Sequence, residues 1–521
     1  MNKRSRTEYS LMNMFTSFFG YALNIILSFL CRMVFVRCLS EEYLGVSGLF
    51  TNIISILSLS ELGISTAIVY ALYKPIAENN EQKICALMKI YGTAYKIIGV
   101  FIFGVGLLCI PFLDFIVNDK PNIVEDIRII YLLYLFSTAS SYLFSYRSSI
   151  LTANQRNYVV LGISYLGTIL QNLIQIVILL ISKNFMLYLI IQVICTYLSN
   201  ITISYKAKND YPYICSKSTY KLSKSEIWKL IKDIKALTIT KISGILVNNT
   251  DNIAITYFGG LATTGIASNY TLISTMFTSL LNQFFGSMTA SIGNINATEK
   301  KETKYFYFNV INFSNFWLYG WGAIGIAVVL GDIIELCFGS NYVLTISIPI
   351  VIAINFYIVG MQSAVWVFKS TLGLFKYGQY LLFITSAINL VGDIFLGSKF
   401  GVFGIFFATV ISRILTNCWY DPYVVFKYGL DRNFTKYFFE YLWYIFVLLI
   451  AAILCFVLCI WIDITPVLDV AIKIIICSIV PNTIFYLFFR KTEMYRYFSK
   501  KVREIICMIA GRFKQIIKKG N

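Results

Sequence analysis

The 521 residues contain no histidine. That removes the commonest general base and the imidazole metal ligand, so Ser-His-Asp chemistry, Cys-His chemistry and Cys/His zinc sites are excluded. Charge is scarce as well: 13% of residues are charged, where soluble domains carry about 25%. No loop carries the Gly-x-x-x-x-Gly-Lys-Ser/Thr pattern that cradles ATP phosphates. The 12 cysteines form no Cys-x-x-Cys, and most sit in apolar segments, Cys109, Cys195, Cys455 and Cys459 among them. They read as small buried hydrophobes and not as a disulfide framework. Long polar stretches are missing too. The longest, between residues 206 and 236, is roughly 30 residues, too short for a catalytic domain, and the outer loops are shorter still.

What is present is apolar: 58% of residues are hydrophobic and 17% aromatic. A membrane-spanning helix needs about 20 predominantly apolar residues. Fourteen stretches qualify, near 11–36, 44–72, 90–117, 127–151, 158–182, 185–205, 237–259, 265–292, 305–330, 344–368, 379–397, 401–426, 438–462 and 468–489. Lys3, Arg4 and Arg6 precede a first run too long for a signal-peptide core, with no small-residue cleavage site after it, so the first span is expected to stay in the membrane. In a soluble chain the net charge of +18 would suggest nucleic acid. Here the charges lie between apolar runs and speak of topology instead, with no nucleic-acid partner expected. With the N-terminus inside, about 34 of the 44 Lys and Arg fall on inner segments and 5 on outer ones (Arg37, Lys120, Arg128, Lys183, Lys399), as the positive-inside rule predicts. The expectation is a multi-pass protein of the cell membrane with both termini cytoplasmic.

Two inner segments have a pattern of their own. Ser223 to Glu226 reads as a capping box, followed by Ile227, Leu230, Ile231 and Ile234 at helical spacing. The tail places Val502, Ile505, Ile506, Ile509, Phe513, Ile516 and Ile517 on one face with Lys and Arg around the rest. Both look like amphipathic helices on the anionic inner leaflet, or serve as topology signals alone. The chain also repeats itself. A shift of 220 lays residues 44–55 over 264–275, with Gly45 on Gly265 and Thr51 on Thr271. A shift of 222 lays Tyr146, Arg147 and Ser148 over Phe368, Lys369 and Ser370, and Tyr158 over Tyr380. Two matches at nearly one offset suggest two six-helix halves plus two extra helices. Six is even, so the halves share one orientation and are related by a pseudo-two-fold axis along the membrane normal.

Charges inside the spans are the candidate functional residues. A charge near mid-membrane costs about 2.5–3.5 kcal/mol on insertion scales. The stretch from Lys241 to Gly260 carries Lys241, Asn248, Asn249, Asp251 and Asn252 in one apolar run. Glu61 and Asp251 are the two deep acids; Asp393 and Arg413 lie in the eleventh and twelfth spans, and the 220 shift lays Arg32 over Asn252 beside Asp251. Lys96, Lys241, Arg147 and Lys369 lie near inner ends, where snorkelling to headgroups accounts for them as well as function does. For Glu61, Asp251 and Arg413 a structural ion pair is the competing account. Functionally, the bases Arg32, Arg147, Lys369 and Arg413 suit an anionic headgroup such as a pyrophosphate. The acids Glu61, Asp251 and Asp393 suit proton or Na⁺ exchange, or the holding of a lobe interface. No resident cofactor and no metal site are expected.

Several stretches resemble one family: Glu61-Leu62-Gly63, Tyr146-Arg147 with Asn154-Gln155, Asp251 followed by Phe258-Gly259 and Gly265, and Gly401 with Gly404. With the fourteen-span layout and its six-helix repeat, the chain resembles the Wzx-like polysaccharide flippases of the multidrug/oligosaccharidyl-lipid/polysaccharide exporter superfamily along essentially its whole length. The resemblance implies an all-α integral membrane transporter, not an enzyme, working by alternating access around a cationic cavity. Its cargo would be a polyprenyl-diphosphate-linked oligosaccharide crossing from the inner to the outer leaflet for surface polysaccharide. Coupling to an H⁺ or Na⁺ gradient, a monomeric state, and glycosyltransferases or a polymerase as neighbours complete the expectation. The domains would be an N-terminal lobe (1–206), an amphipathic linker (207–236), a C-terminal lobe (237–430), two additional helices (431–490) and a basic tail (491–521). A lipid II flippase and a cation-coupled multidrug exporter of the same superfamily are the alternatives. A membrane acyltransferase is disfavoured by the missing histidine.

Overall fold

The apolar runs fold as helices, and no strand occurs among the described residues. The computed structural model describes residues 16–58, 64–113, 123–215, 220, 222–374, 377–378, 380–462, 464–500 and 503. In chain order the helices are α1 (Tyr21–Cys38), α2 (Glu41–Leu57), α3 (Ile64–Ala77), α4 (Glu81–Cys109), α5 (Ile127–Ser145), α6 (Ser148–Ala153), α7 (Asn157–Ser182), α8 (Phe185–Asp210), α9 (Lys224–Thr298), α10 (Lys301–Phe338), α11 (Ser347–Thr371), α12 (Leu381–Leu415), α13 (Asn417–Val424), α14 (Phe434–Cys459) and α15 (Pro466–Phe489). Their starts are written in the sequence. Asn80, Asp126, Asn184 and Asn433 each accept a backbone N–H of the first turn through a side-chain oxygen, and Pro466 opens α15 where no N–H is needed.

Ten segments among the described residues are long and apolar enough by themselves to cross a membrane. One of them, Leu381–Leu430, folds back at Gly401 (φ 57°) and so holds two of the expected spans. The helix α9 holds two more around Gly260 (φ 82°, ψ 170°), and the expected span 44–72 is divided between α2 and α3. Glycine is required at both breaks because other residues resist positive φ. Val100, Leu108, Ile181 and Trp461 are each more than 70% exposed. Such side chains are stable in that position only against hydrocarbon, and the chain is a multi-pass membrane protein.

Three expectations change in detail. Within the span read as 44–72 the described helices are α2, to Leu57, and α3, from Ile64, and Glu61 lies between them outside the described residues. The fourth run breaks after Ser145, and Ser148–Ala153 forms a separate short helix. The amphipathic segment after Ser223 is continuous with the seventh span, since α9 runs unbroken to Gly260. At about 1.5 Å per residue that part is on the order of 54 Å long, well over the ~30 Å hydrocarbon core, so its first turns project beyond the membrane. The capping box itself is made: Glu226 accepts from the Ser223 backbone N–H at 2.9 Å, and the Ser223 hydroxyl accepts from the Glu226 N–H at 3.3 Å. The side chains of Lys241, Asn248 and Asn249, and the apolar face of the tail from Val502 to Ile517, lie outside the described residues.

The chain divides into two units, residues 1–272 with 379–409 and residues 273–378 with 410–521. Within the first, α2 crosses the helix that follows Gly260 at very close range. A Cβ at Gly45 would lie 2.0 Å from the Leu261 carbonyl oxygen, and one at Gly265 would lie 2.3 Å from that of Glu41. Each pair is the other displaced by the 220-residue repeat, so the contact is reciprocal, as contacts across a two-fold axis are. Within the second unit, α10 is buried along most of its length. Its Phe316 stacks on Tyr444 of α14 (4.4 Å between centroids) and its Trp317 donates to Asn482 of α15 at 2.6 Å. The two extra helices are thus packed against α10 by rings and a part-buried hydrogen bond.

Candidate functional site

Two glycine-broken hairpins of the first unit bring five polar side chains together. In α12 the legs before and after Gly401 touch through small residues. A Cβ at Gly404 would lie 2.1 Å from the Leu396 carbonyl oxygen, and one at Gly392 would lie 2.8 Å from Ala408. Close backbone approach of this kind is how membrane helices pack. It sets Asn389 and Asp393, one turn apart on the first leg, against Thr409 on the second. The leg of α9 before Gly260 supplies Thr250 and Asp251, and its Phe258 rests on Gly397.

One line of hydrogen bonds joins them. The Thr409 hydroxyl donates to Asp251 Oδ2 at 2.9 Å and accepts from Asn389 Nδ2 at 3.1 Å. The same Nδ2 donates to Asp393 Oδ1 at 3.1 Å, and Thr250 reaches Asn389 Oδ1 at 3.4 Å. Asn389 and Asp393 are fully buried (0% exposed). Asp393 Oδ2 has no hydrogen-bond partner among the described residues, and the charge acting on Asp393 is that of Asp251. A buried carboxylate beside a second, half-buried one calls for positive charge to join the pair. A proton on one of them, or a small cation held by carboxylate, amide and hydroxyl oxygens, meets that need. Among the described residues no group of three or more Cys, Asp or Glu side chains is placed to hold a metal ion.

The candidate bases fall into different settings. Arg32 donates through Nε to Asn269 Oδ1 at 3.1 Å and through Nη2 to Ser268 Oγ at 2.5 Å, just beyond the Gly45–Gly265 crossing. Arg147 donates to Ser204 Oγ at 2.9 Å and to the Tyr146 hydroxyl at 3.1 Å; it is half-buried and holds no carboxylate among the described residues. In the second unit Lys369 pairs with Asp421 at 2.6 Å, and the other oxygen of Asp421 takes Trp366 Nε1 at 3.0 Å and Asn417 Nδ2 at 3.2 Å. Arg413 is buried at 9% exposure on the same unit. Of the acids, Asp251 and Asp393 are brought together. Sequence reasoning missed Asn389, Thr409 and Asp421. Asn389 was findable, four residues before Asp393 and so on the same helix face; Thr409 is a common residue with no spacing signal, and Asp421 sat at the end of its span.

No family model matches the chain, and no curated protein matches it. Solved structures do. A structure described as the lipid II flippase MurJ in an inward closed conformation aligns over 93% of this chain and 99% of its own, with 15% identity and a TM-score of 0.60. An inward-facing multidrug resistance MATE family transporter of the MOP superfamily aligns over 75% of this chain and 91% of its own, with 13% identity and a TM-score of 0.57. A point mutant of the Vibrio cholerae MATE transporter VcmN aligns over 82% and 98%, with 13% identity and a TM-score of 0.55. The chain has the fold of the MOP-superfamily transporters.

Proposed function

We propose that this protein is a flippase of the cytoplasmic membrane that carries a polyprenyl-diphosphate-linked oligosaccharide from the inner to the outer leaflet, driven by a Na⁺ or H⁺ gradient. The observation that carries the reading is the buried Asp251–Thr409–Asn389–Asp393 line, where Asp393 Oδ2 has no partner among the described residues. Loading and unloading a cation there changes the charge of the cluster, which gives a gradient a means to bias one conformation over another. Support for an anionic cargo comes from Arg147, a half-buried guanidinium that holds hydroxyls and, among the described residues, no carboxylate. Arg32, Lys369 and Arg413 complete the set of candidate headgroup contacts, with Lys369 becoming available only when it leaves Asp421.

The distribution of Lys and Arg supports a cytoplasmic location for both termini. The protein acts as a monomer beside the glycosyltransferases and polymerase that make and consume its cargo. One observation favours a second cargo of the same chemistry. The lipid II flippase aligns over 93% of this chain against 75% and 82% for the two multidrug exporters, which makes lipid II the rival to weigh. In proteoliposomes with an imposed Na⁺ or H⁺ gradient, an undecaprenyl-diphosphate oligosaccharide should become accessible on the far leaflet faster than in empty vesicles. R147A should slow it by roughly tenfold, the loss of one charge-assisted contact. Equal rates with and without protein, for this carrier and for lipid II, would end the flippase reading.

A further inference from the structure

Beyond the coupling cluster, the second unit holds an open cavity of about 470 Å³ lined by Tyr423, Lys427, Asp431, Arg432, Asn433 and Phe434. It lies where the π-helical segment Val425–Leu430 turns into α14. Its cations are held by rings and hydroxyls more than by acids. Lys427 Nζ donates to the Tyr423 hydroxyl at 2.6 Å and lies 5.0 and 5.4 Å from the Tyr423 and Tyr428 ring centres. No carboxylate pairs with it among the described residues. The Arg432 guanidinium sits 5.6 Å from the Tyr305 ring, with Lys436 Nζ at 5.7 Å from the same ring. Arg432 reaches Glu302 only at 3.4 Å, while the one acid of the lining, Asp431, is engaged by Lys301 at 2.8 Å. Four bases (Lys301, Lys427, Arg432, Lys436) against three acids (Glu302, Asp431 and Glu440, which faces Lys436) leave the mouth positive.

The surface next to it is apolar. Along α14, Phe438, Phe439, Leu442, Trp443 and Phe446 are all exposed. An occupant that satisfies both surfaces carries an anionic head and a hydrocarbon tail.

We propose that this cavity is a binding site for an acidic phospholipid of the inner leaflet, its phosphate between Lys427 and Arg432 and its acyl chains along α14. The proposal rests on the orientation given above, which puts this turn at the inner surface, and is independent of what the protein transports. Tyrosine rings beside the two bases suit the headgroup level of a bilayer, and each basic group near an anionic headgroup strengthens binding several-fold.

The test is native mass spectrometry of the full-length protein titrated with phosphatidylglycerol or phosphatidylcholine. The wild type should retain phosphatidylglycerol over phosphatidylcholine by roughly tenfold. K427Q/R432Q should lose that preference, while R490Q/K491Q, a matched pair of exposed bases elsewhere, should keep it. Should the double variant fail to fold, K427Q alone, at an exposed side chain, should cut the preference by about threefold. Equal retention of the two lipids by the wild type, an unchanged preference in K427Q/R432Q, or equal loss in the control pair would each overturn the site. So would displacement of phosphatidylglycerol by inorganic phosphate at 10 mM, about the level at which a site for free phosphate would fill. A wild type that transports but retains the two lipids equally counts against this site alone; a wild type that keeps the lipid preference but does not transport counts against the flippase reading alone.

Discussion

Asp421 of the second unit and Asp393 of the first are both aspartates buried in apolar helices, yet their surroundings differ in kind. Asp421 has Lys369 on one oxygen and Trp366 and Asn417 on the other; its charge is matched and both oxygens are used. Asp393 has an amide on Oδ1, no partner on Oδ2 among the described residues, and a second carboxylate as its electrostatic neighbour. A matched ion pair in hydrocarbon is costly to break and otherwise idle. An acid surrounded by neutral oxygens and another acid is a place for positive charge to come and go. The two aspartates are alike in burial and differ in whether a base sits on the carboxylate: Lys369 does on Asp421, and no partner meets Asp393 Oδ2 among the described residues.

The largest effect should come from opening the matched cluster. D421A leaves the half-buried Lys369 unpaired and should cost up to about 3–5 kcal/mol, seen as a lower midpoint of thermal unfolding in detergent. Replacing both partners, as K369M/D421L, should recover most of that loss. If the double variant folds normally but no longer moves cargo, Lys369 does more than pair, and the contrast between the clusters narrows. D393N should behave oppositely, with unfolding little changed and gradient-driven transport down about a hundredfold. At saturating ion, wild-type protein should gain about 2.7 kcal/mol at a hundred times Kd, and D393N should gain none. Ion-dependent stabilisation that survives in D393N would make the first cluster structural too.

The sequence alone placed this contrast only in part. Fourteen apolar runs were legible because hydrocarbon thickness imposes one length on every span. Gly45 over Gly265 gave the repeat, and the reciprocal crossing shows why glycine stands at both places. Asp251 and Asp393 stood out because acids are rare in such helices. That they share one cluster was not legible, since it depends on two hairpins folding at Gly260 and Gly401, 141 positions apart in the chain. Nor was Lys369's partner. Charge count says a base is present; only tertiary packing says whether an acid faces it.

A middle-sized effect should come from the scaffold under Asp393. A Cβ at Gly404 would meet the Leu396 carbonyl oxygen at 2.1 Å, backbone that cannot turn aside, so G404A must spread the legs of α12. The cost should be about 1–3 kcal/mol, with weaker ion stabilisation because Thr409 moves from Asn389. The Lys369–Asp421 pair belongs to the other unit and should be untouched: in the K369M/D421L background G404A should cost the same as in wild type. Unequal costs would mean that the two clusters are coupled.

The smallest effect sets the lower end of the scale, at an ion pair outside the membrane. Lys83 Nζ meets Glu226 Oε1 at 2.5 Å while the other oxygen of that carboxylate takes the Ser223 N–H. The Lys83 hydrogen bond, with that of Ser223, holds the Glu226 carboxyl well below its usual range, to about 2. Because the folded pKa is depressed, the stabilisation is fully present above the ordinary carboxylate value. It fades as pH falls from there towards about 2. Both side chains are partly exposed, at 25% and 32%, so water and salt screen the pair and its worth is at most about 1 kcal/mol. E226Q should lower the unfolding midpoint slightly at pH 7 and in low salt, and by less at 0.5 M NaCl or at pH 3. A loss as large as that of D421A would show that exposure does not separate the charged pairs of this protein, and that its counter-charges must be ranked on other grounds.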